Sequence, residues 1–187
     1  YHSLALKRDG TVWSWGANYN GVLGTDTGDW YSTPVQVVDL ADIIAIVTGD
    51  EHSLALRRDG TVWAWGLNSE GQLGDGTTDS RGRPVRVGTL TGIVAIAAGG
   101  HHSLALRDDG TVVAWGANWG GQLGDGTTTD SATPVAIPGL TGVAALDAGW
   151  SYSVALLADG TVRAWGANDQ GQLSDGTSTD ATAPATV

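Results

Sequence analysis

An all-β fold built of propeller blades is predicted by three features of this sequence: a tandem repeat with a 50-residue period, an Asp-Gly pair at the same place in every copy, and a composition rich in glycine and tryptophan. The period is visible by eye. HSLALKRDGTVWSWGAN from His2 returns as HSLALRRDGTVWAWGLN from His52, HSLALRDDGTVVAWGAN from His102 and YSVALLADGTVRAWGAN from Tyr152. Pro34, Pro84, Pro134 and Pro184 share one repeat position, and Asn18, Asn68, Asn118 and Asn168 share another. The organisation read from this is a single repeat domain over 1–187, with units 1–50, 51–100 and 101–150 and an incomplete unit 151–187.

Each element of a blade has its own signal. IVAIAAG from Ile93, with IIAIVTG from Ile43 and VAALDAG from Val143, is short, apolar and ends in glycine, which predicts a strand buried on both faces. SLAL and TVWAWG read as the second and third strands. Asp59-Gly60 and its equivalents between them predict a two-residue type I′ turn. A fourth strand is expected near Pro84-Val85-Arg86-Val87, at a sheet edge where proline is tolerated. About four antiparallel strands per unit stack as blades, with Trp15, Trp65, Trp115 and Trp165 filling the space between them. A parallel β-helix is the rival architecture, but its coils are usually shorter than this period and lack a hairpin in each unit.

Composition narrows the function classes. The 187 residues carry 20 Asp and Glu against nine Lys and Arg, a formal net charge of −11, so a nucleic-acid partner is not expected. No apolar run approaches the ~20 residues of a membrane-spanning helix, so membrane insertion is not expected either. Cys 0 removes disulfides, thiolate metal sites and a cysteine nucleophile. Met 0 leaves not even an initiator, which reads as a processed chain, an excised piece or an incompletely represented sequence.

No catalytic, cofactor or metal site is expected. His2, His52 and His102 recur at one repeat position, filled by Tyr152 in the fourth copy; such recurrence points to a structural hydrogen bond to a neighbouring loop. GDGTTD from Gly74, GDGTTTD from Gly124 and SDGTSTD from Ser174 place two carboxylates in one loop, which invites a calcium reading. Asx turns at Asp75, Asp125 and Asp175, with Gly76, Gly126 and Gly176 at positive φ, account for the same residues more simply. The departures from the repeat are the better functional candidates, because the fold does not demand them in every copy. They are Tyr19, Trp30, Tyr31, Asp50, Glu51, His101, Trp119, Trp150 and Tyr152, with His101 expected in an exposed loop. The loops after the innermost strands, through Asp50, Glu51, His101, Trp150 and Ser151, are expected to share one face and offer a partner aromatics among carboxylates.

The segments GxxHSLAL, DGTVxxWGxN and GQLGDGT together resemble the regulator of chromosome condensation repeat family over essentially the whole chain. That resemblance implies a seven-bladed-type ring of four-stranded blades. Four copies of SLAL and TVxxWG stand against three of the innermost strand, so the chain is expected to be part of a longer ring, an open arc, or half of a ring closed by a homodimer. The family includes guanine-nucleotide exchange factors, a plant photoreceptor, ubiquitin-ligase domains and a secreted bacterial inhibitor of class A β-lactamases. The chain looks most similar to bacterial members, which implies an extracellular or cell-surface setting. Gly149-Trp150-Ser151-Tyr152-Ser153 lacks the arginine of the photoreceptor motif, and the even period leaves no room for the wedge loop of an exchange factor. The function expected is a non-catalytic protein-interaction scaffold, in its most concrete form β-lactamase-inhibitor-like. The alternatives are a carbohydrate or cell-wall binding module and an exchange-factor-type propeller.

Overall fold

The computed structural model describes residues 2–187, which form four antiparallel sheets, each a blade. The first holds three strands: β1 (His2–Leu6), β2 (Val12–Gly16) and β3 (Tyr31–Gln36). The second runs β4 (Ile43–Thr48), β5 (His52–Arg57), β6 (Val62–Gly66) and β7 (Arg81–Arg86). The third runs β8 (Ile93–Ala98), β9 (His102–Arg107), β10 (Val112–Gly116) and β11 (Ser131–Ala136). The fourth runs β12 (Val143–Ala148), β13 (Tyr152–Leu157), β14 (Val162–Gly166) and β15 (Ala181–Thr186). Each four-stranded sheet takes its innermost strand from the end of one 50-residue unit and the other three from the next. Among the described residues the only helical segment is a 3-10 turn at Tyr19–Gly21, and no helix is long and apolar enough to cross a membrane.

The four recurring prolines, Pro34, Pro84, Pro134 and Pro184, lie where a missing N–H does least harm, in the outermost strands β3, β7, β11 and β15, each of which pairs on one side only. The Asp-Gly hairpin differs from expectation. Leu56 pairs with Val62, Arg57 N–H donates to the Thr61 carbonyl at 2.9 Å, and Gly60 N–H donates to the Arg57 carbonyl at 2.9 Å. Only Gly60 of the turn has positive φ (76°), so the connection is a three-residue turn with a glycine bulge. The aspartate serves another purpose: Asp59 Oδ1 accepts from Thr61 N and Thr61 Oγ1 at 3.0 and 2.6 Å, and Asp9, Asp109 and Asp159 do the same for their threonines.

The innermost strands also depart from the expectation of burial on both faces. Ile44, Val94 and Ala144 are exposed, Val94 by 53%. The reason is a register shift: Ile93 pairs with Arg107 and Ala95 with Leu106, so Val94 is the extra residue of a β-bulge and its side chain is turned out. The same shift recurs around Ile44 and Ala144.

The core lies between blades. Leu54, Leu56, Val62, Leu73 and Val87 of the second blade pack against Ala105, Val113 and Trp115 of the third, and the pattern repeats at the interfaces on either side. Trp65, Trp115 and Trp165 are fully buried there, while Trp15 is only half-buried. Each buried indole donates from Nε1 to a carbonyl of the preceding blade: Trp65 to Val22 at 2.8 Å, Trp115 to Gln72 at 2.9 Å and Trp165 to Gln122 at 2.9 Å. The same three carbonyls accept from Ser53, Ser103 and Ser153 Oγ. Those serines in turn bond Nε2 of His2, His52 and His102 at 2.9, 3.0 and 2.9 Å. The recurring histidine is thus structural, but its partner is a strand serine of the next blade and not a loop. Because each serine spends its one proton on the carbonyl, the histidine must be the donor, neutral and protonated on Nε2.

Burial holds His52 and His102 far below the usual imidazole range, at about 3, with nearby histidines adding to the effect. A depressed folded-state value means that stability is complete above the unfolded value near 6.5 and falls as pH drops below it. Between pH 7.5 and 5 each of the two should cost about 2 kcal/mol. A His52→Gln, His102→Gln double variant keeps an N–H donor and removes the titration. Urea melts of this variant at the two pH values are expected to show a markedly smaller loss than the parent; equal losses would place the acid sensitivity elsewhere.

Candidate functional site

Alternating strand direction sends two kinds of connection to one face: the short links 49–51, 99–101 and 149–151, and the long loops 17–30, 67–80, 117–130 and 167–180. Twelve of the chain's 20 acidic residues and none of its nine lysines and arginines lie in these connections. A buried asparagine knits together each of the last three long loops. Asn118 Nδ2 donates to the Thr127 and Thr129 carbonyls at 3.1 Å each, while its Oδ1 accepts from Leu123 N at 2.9 Å; Asn68 and Asn168 repeat the arrangement. Asp75, Asp125 and Asp175 form the expected Asx turns, each accepting from the backbone and hydroxyl of the threonine two residues on, ahead of glycines at positive φ.

Within that face the structure gathers Asp50, His101, Trp119 and Trp150. Asp50, Gly100 and Trp150 occupy one repeat position in three successive blades. Their backbones are laced together, Asp50 N–H to the Gly100 carbonyl at 3.2 Å and Gly100 N–H to the Trp150 carbonyl at 2.9 Å. The Trp150 indole lies across the middle blade and donates from Nε1 to Asp50 Oδ2 at 2.7 Å. Gly100 makes this possible, since a Cβ there would stand 2.5 Å from Trp150 Cδ1. The His101 ring sits 5.7 Å from Trp119 and 6.3 Å from Trp150, and the two indoles are 6.0 Å apart, tilted by 48°. Trp119 and Trp150 remain 46% and 59% exposed.

His101 is in a loop, as expected, but its side chain is half-buried among these rings, with Nδ1 3.4 Å from Glu70 Oε2. Glu70 is the member that sequence reasoning missed. Burial pushes its carboxyl up, but hydrogen bonds from Ser69 and Gln72 and its contact with His101 outweigh that and hold it below the usual range. Its signal was its place: Asn20, Glu70, Gly120 and Gln170 share a repeat position that differs in every copy. Asn20 Nδ2 donates to Glu51 Oε2 at 2.9 Å across the same spacing that joins Glu70 to His101. Glu51 lies beside the cluster, lining with His2, Gly49, Asp50 and His101 a hollow of about 430 Å³.

The remaining candidates lie apart. Tyr19, Trp30 and Tyr31 line a separate cavity of about 520 Å³ with Trp15 in the first blade. Trp30 stands at the position where Asp130 and Asp180 accept from Asn118 N and Asn168 N, and with no such bond to make it is exposed. Tyr152 takes the ring position of His52 and His102, with its Cε1 2.0 Å from where a Cβ on Gly149 would stand, so it belongs to the frame and not to the aromatic cluster. Among the described residues no group of three His, Cys, Asp or Glu side chains could hold a metal ion.

Gly100→Ala is expected to dislodge the indole of Trp150 and break its bond to Asp50. The indole N–H resonance of Trp150 should lose its hydrogen-bonded shift and exchange faster with solvent; an unchanged resonance would mean that the ring is held by something other than its seat on Gly100.

A family model for the RCC1-like domain matches residues 1–187. No curated protein matches the chain. Among solved structures, human WBSCR16 aligns over 100% of this chain and 50% of its own length, with 29% identity and a TM-score of 0.87. Yeast RCC1 (Prp20), solved with Kap60 bound, aligns over 100% of this chain and 46% of its own, with 25% identity and a TM-score of 0.89. Prp20p from Saccharomyces cerevisiae, described with its binding properties to Gsp1p and histones, gives 26% identity, 100% and 48% coverage and a TM-score of 0.85. The chain therefore spans about half the length of these similar proteins. The stacked blades, their recurring sequence signature and the family match over all 187 residues agree, and the chain belongs to the RCC1-like domain family.

Proposed function

We propose that this chain is a non-catalytic protein-interaction scaffold whose partner docks on the acidic face, centred on Trp119, Trp150, His101 and Asp50. The observation that carries the reading is the concentration there of two large exposed indoles on a rigid frame. Exposed aromatics of this kind contribute much of the binding energy at protein interfaces and lose little side-chain entropy on docking. The solved relatives add support, since Prp20 is bound by Kap60 and is described as binding Gsp1p and histones. The most concrete form of the proposal is inhibition of a class A β-lactamase by an extracytoplasmic bacterial protein.

Two measurements separate the versions. Micromolar protein is expected to slow hydrolysis by a class A β-lactamase, with the inhibition constant weakened about tenfold or more by Trp119→Ala or Trp150→Ala. Unchanged hydrolysis would remove the inhibitor form and leave the scaffold reading to other partners. Glycan-array binding that disappears in the same two variants would replace a protein partner with a carbohydrate.

A further inference from the structure

Asp50 and Glu70 both border the aromatic cluster. Asp50 holds the Trp150 indole through Oδ2, and Glu70 meets His101 through Oε2. Among the described residues neither Asp50 Oδ1 nor Glu70 Oε1 receives a hydrogen bond from the protein, so each carboxylate keeps an acceptor free. No lysine or arginine lies in any connection of this face to neutralise them. The two indoles are too close and too steeply tilted to sandwich a flat group, and form instead an open notch in which both residues stay partly exposed.

We propose that this notch receives one arginine side chain of the protein partner, its guanidinium lying on the exposed face of an indole there and its N–H groups reaching the free oxygen of Asp50. A guanidinium is flat, weakly hydrated and carries several donors in its plane, so it can lie on a ring face and bond carboxylates at its edge together. The chain already holds a cation over an indole within itself: on the opposite side of the molecule Lys7 Nζ sits 3.7 Å from the centre of the Trp13 ring. The net charge of −11, concentrated on this face, would draw a basic segment toward it. This inference rests on the scaffold reading for its source of arginine, but the chemistry of the notch can be tested without any partner.

The probe is N-acetyl-arginine amide, with N-acetyl-citrulline amide as a neutral compound of the same shape, followed at constant ionic strength through the indole N–H resonances. The arginine compound is expected to shift Trp119 and Trp150 saturably, binding about fivefold or more tightly than the citrulline compound, and to leave Trp13 unmoved. Asp50→Asn, whose amide oxygen can still accept from Trp150 Nε1, should keep the indole in place and reduce the preference for arginine. Trp119→Ala should abolish the response at Trp150. Equal shifts with both compounds, no shift with either, or shifts as large at Trp13 would overturn the proposal. If the probe fails while Trp119→Ala still weakens a protein complex, the arginine notch falls and the scaffold reading stands. If the probe binds as expected while both tryptophan variants leave a complex intact, the notch stands and the docking face must be sought elsewhere.

Discussion

One carbonyl group per blade interface organises this structure. The Gln72 carbonyl accepts from Trp115 Nε1 and from Ser103 Oγ, and Ser103 also takes the Nε2 proton of His52. Four groups from two blades are thereby satisfied in an apolar interior where any one of them left unpaired would be costly. The arrangement requires a neutral histidine, which burial enforces, and a glycine beside it. A Cβ on Gly49 would stand 2.3 Å from His52 Cε1, and one on Gly99 would stand 2.1 Å from His102 Cε1. It also accounts for the regularity of the sequence. The clasp joins residues 31, 43 and 51 apart, so an insertion between any two of its members would have to be absorbed by a loop before the next blade could dock.

That rigidity is what allows one face to vary. At the position of Asp50 the next copies carry Gly100 and Trp150, and at the position of Glu51 they carry His101 and Ser151. The backbone path through these residues is nearly the same in each blade, down to the bonds that lace Asp50, Gly100 and Trp150 together. Chemistry can therefore change at fixed geometry. A tryptophan spans an entire blade because the residue beneath it is glycine, and an acid reaches a histidine across the spacing that elsewhere joins Asn20 to Glu51.

The repeat made most of the frame legible in the sequence. Strand order, edge prolines, interblade tryptophans and the Asx turns all follow from residues that recur, because recurrence samples the same local physics in each copy. Two local features escaped for a definite reason. Alternation of apolar residues cannot register a bulge, so Val94 reads as core until pairing shows that it is the extra residue. The Asp-Gly pair likewise fits two turn types, and the choice depends on which strand residues pair across it. At the site, the sequence identified variable positions but not which of them meet. Trp119, Trp150 and His101 converge from two blades, whereas Trp30 and Tyr31 lie around a different cavity, and Glu70 shows its role only through its neighbour.

The acidic residues of the face can be divided by the same test. Asp75, Asp125 and Asp175 recur and are occupied by their own threonines, while Asp130 and Asp180 are occupied by the asparagine backbones they accept from. These carboxylates shape loops, and their charge comes with a structural role. Asp50, Glu51 and Glu70 do not recur in that way: Asp50 holds an exposed indole, and Glu51 and Glu70 border the half-buried histidine. Crowding like charges costs stability through self-repulsion, and loop geometry elsewhere on the same frame is built without these three. Their placement around this cluster is therefore a property of the surface that the recurring frame does not require, and a complementary positive charge is what would relieve it.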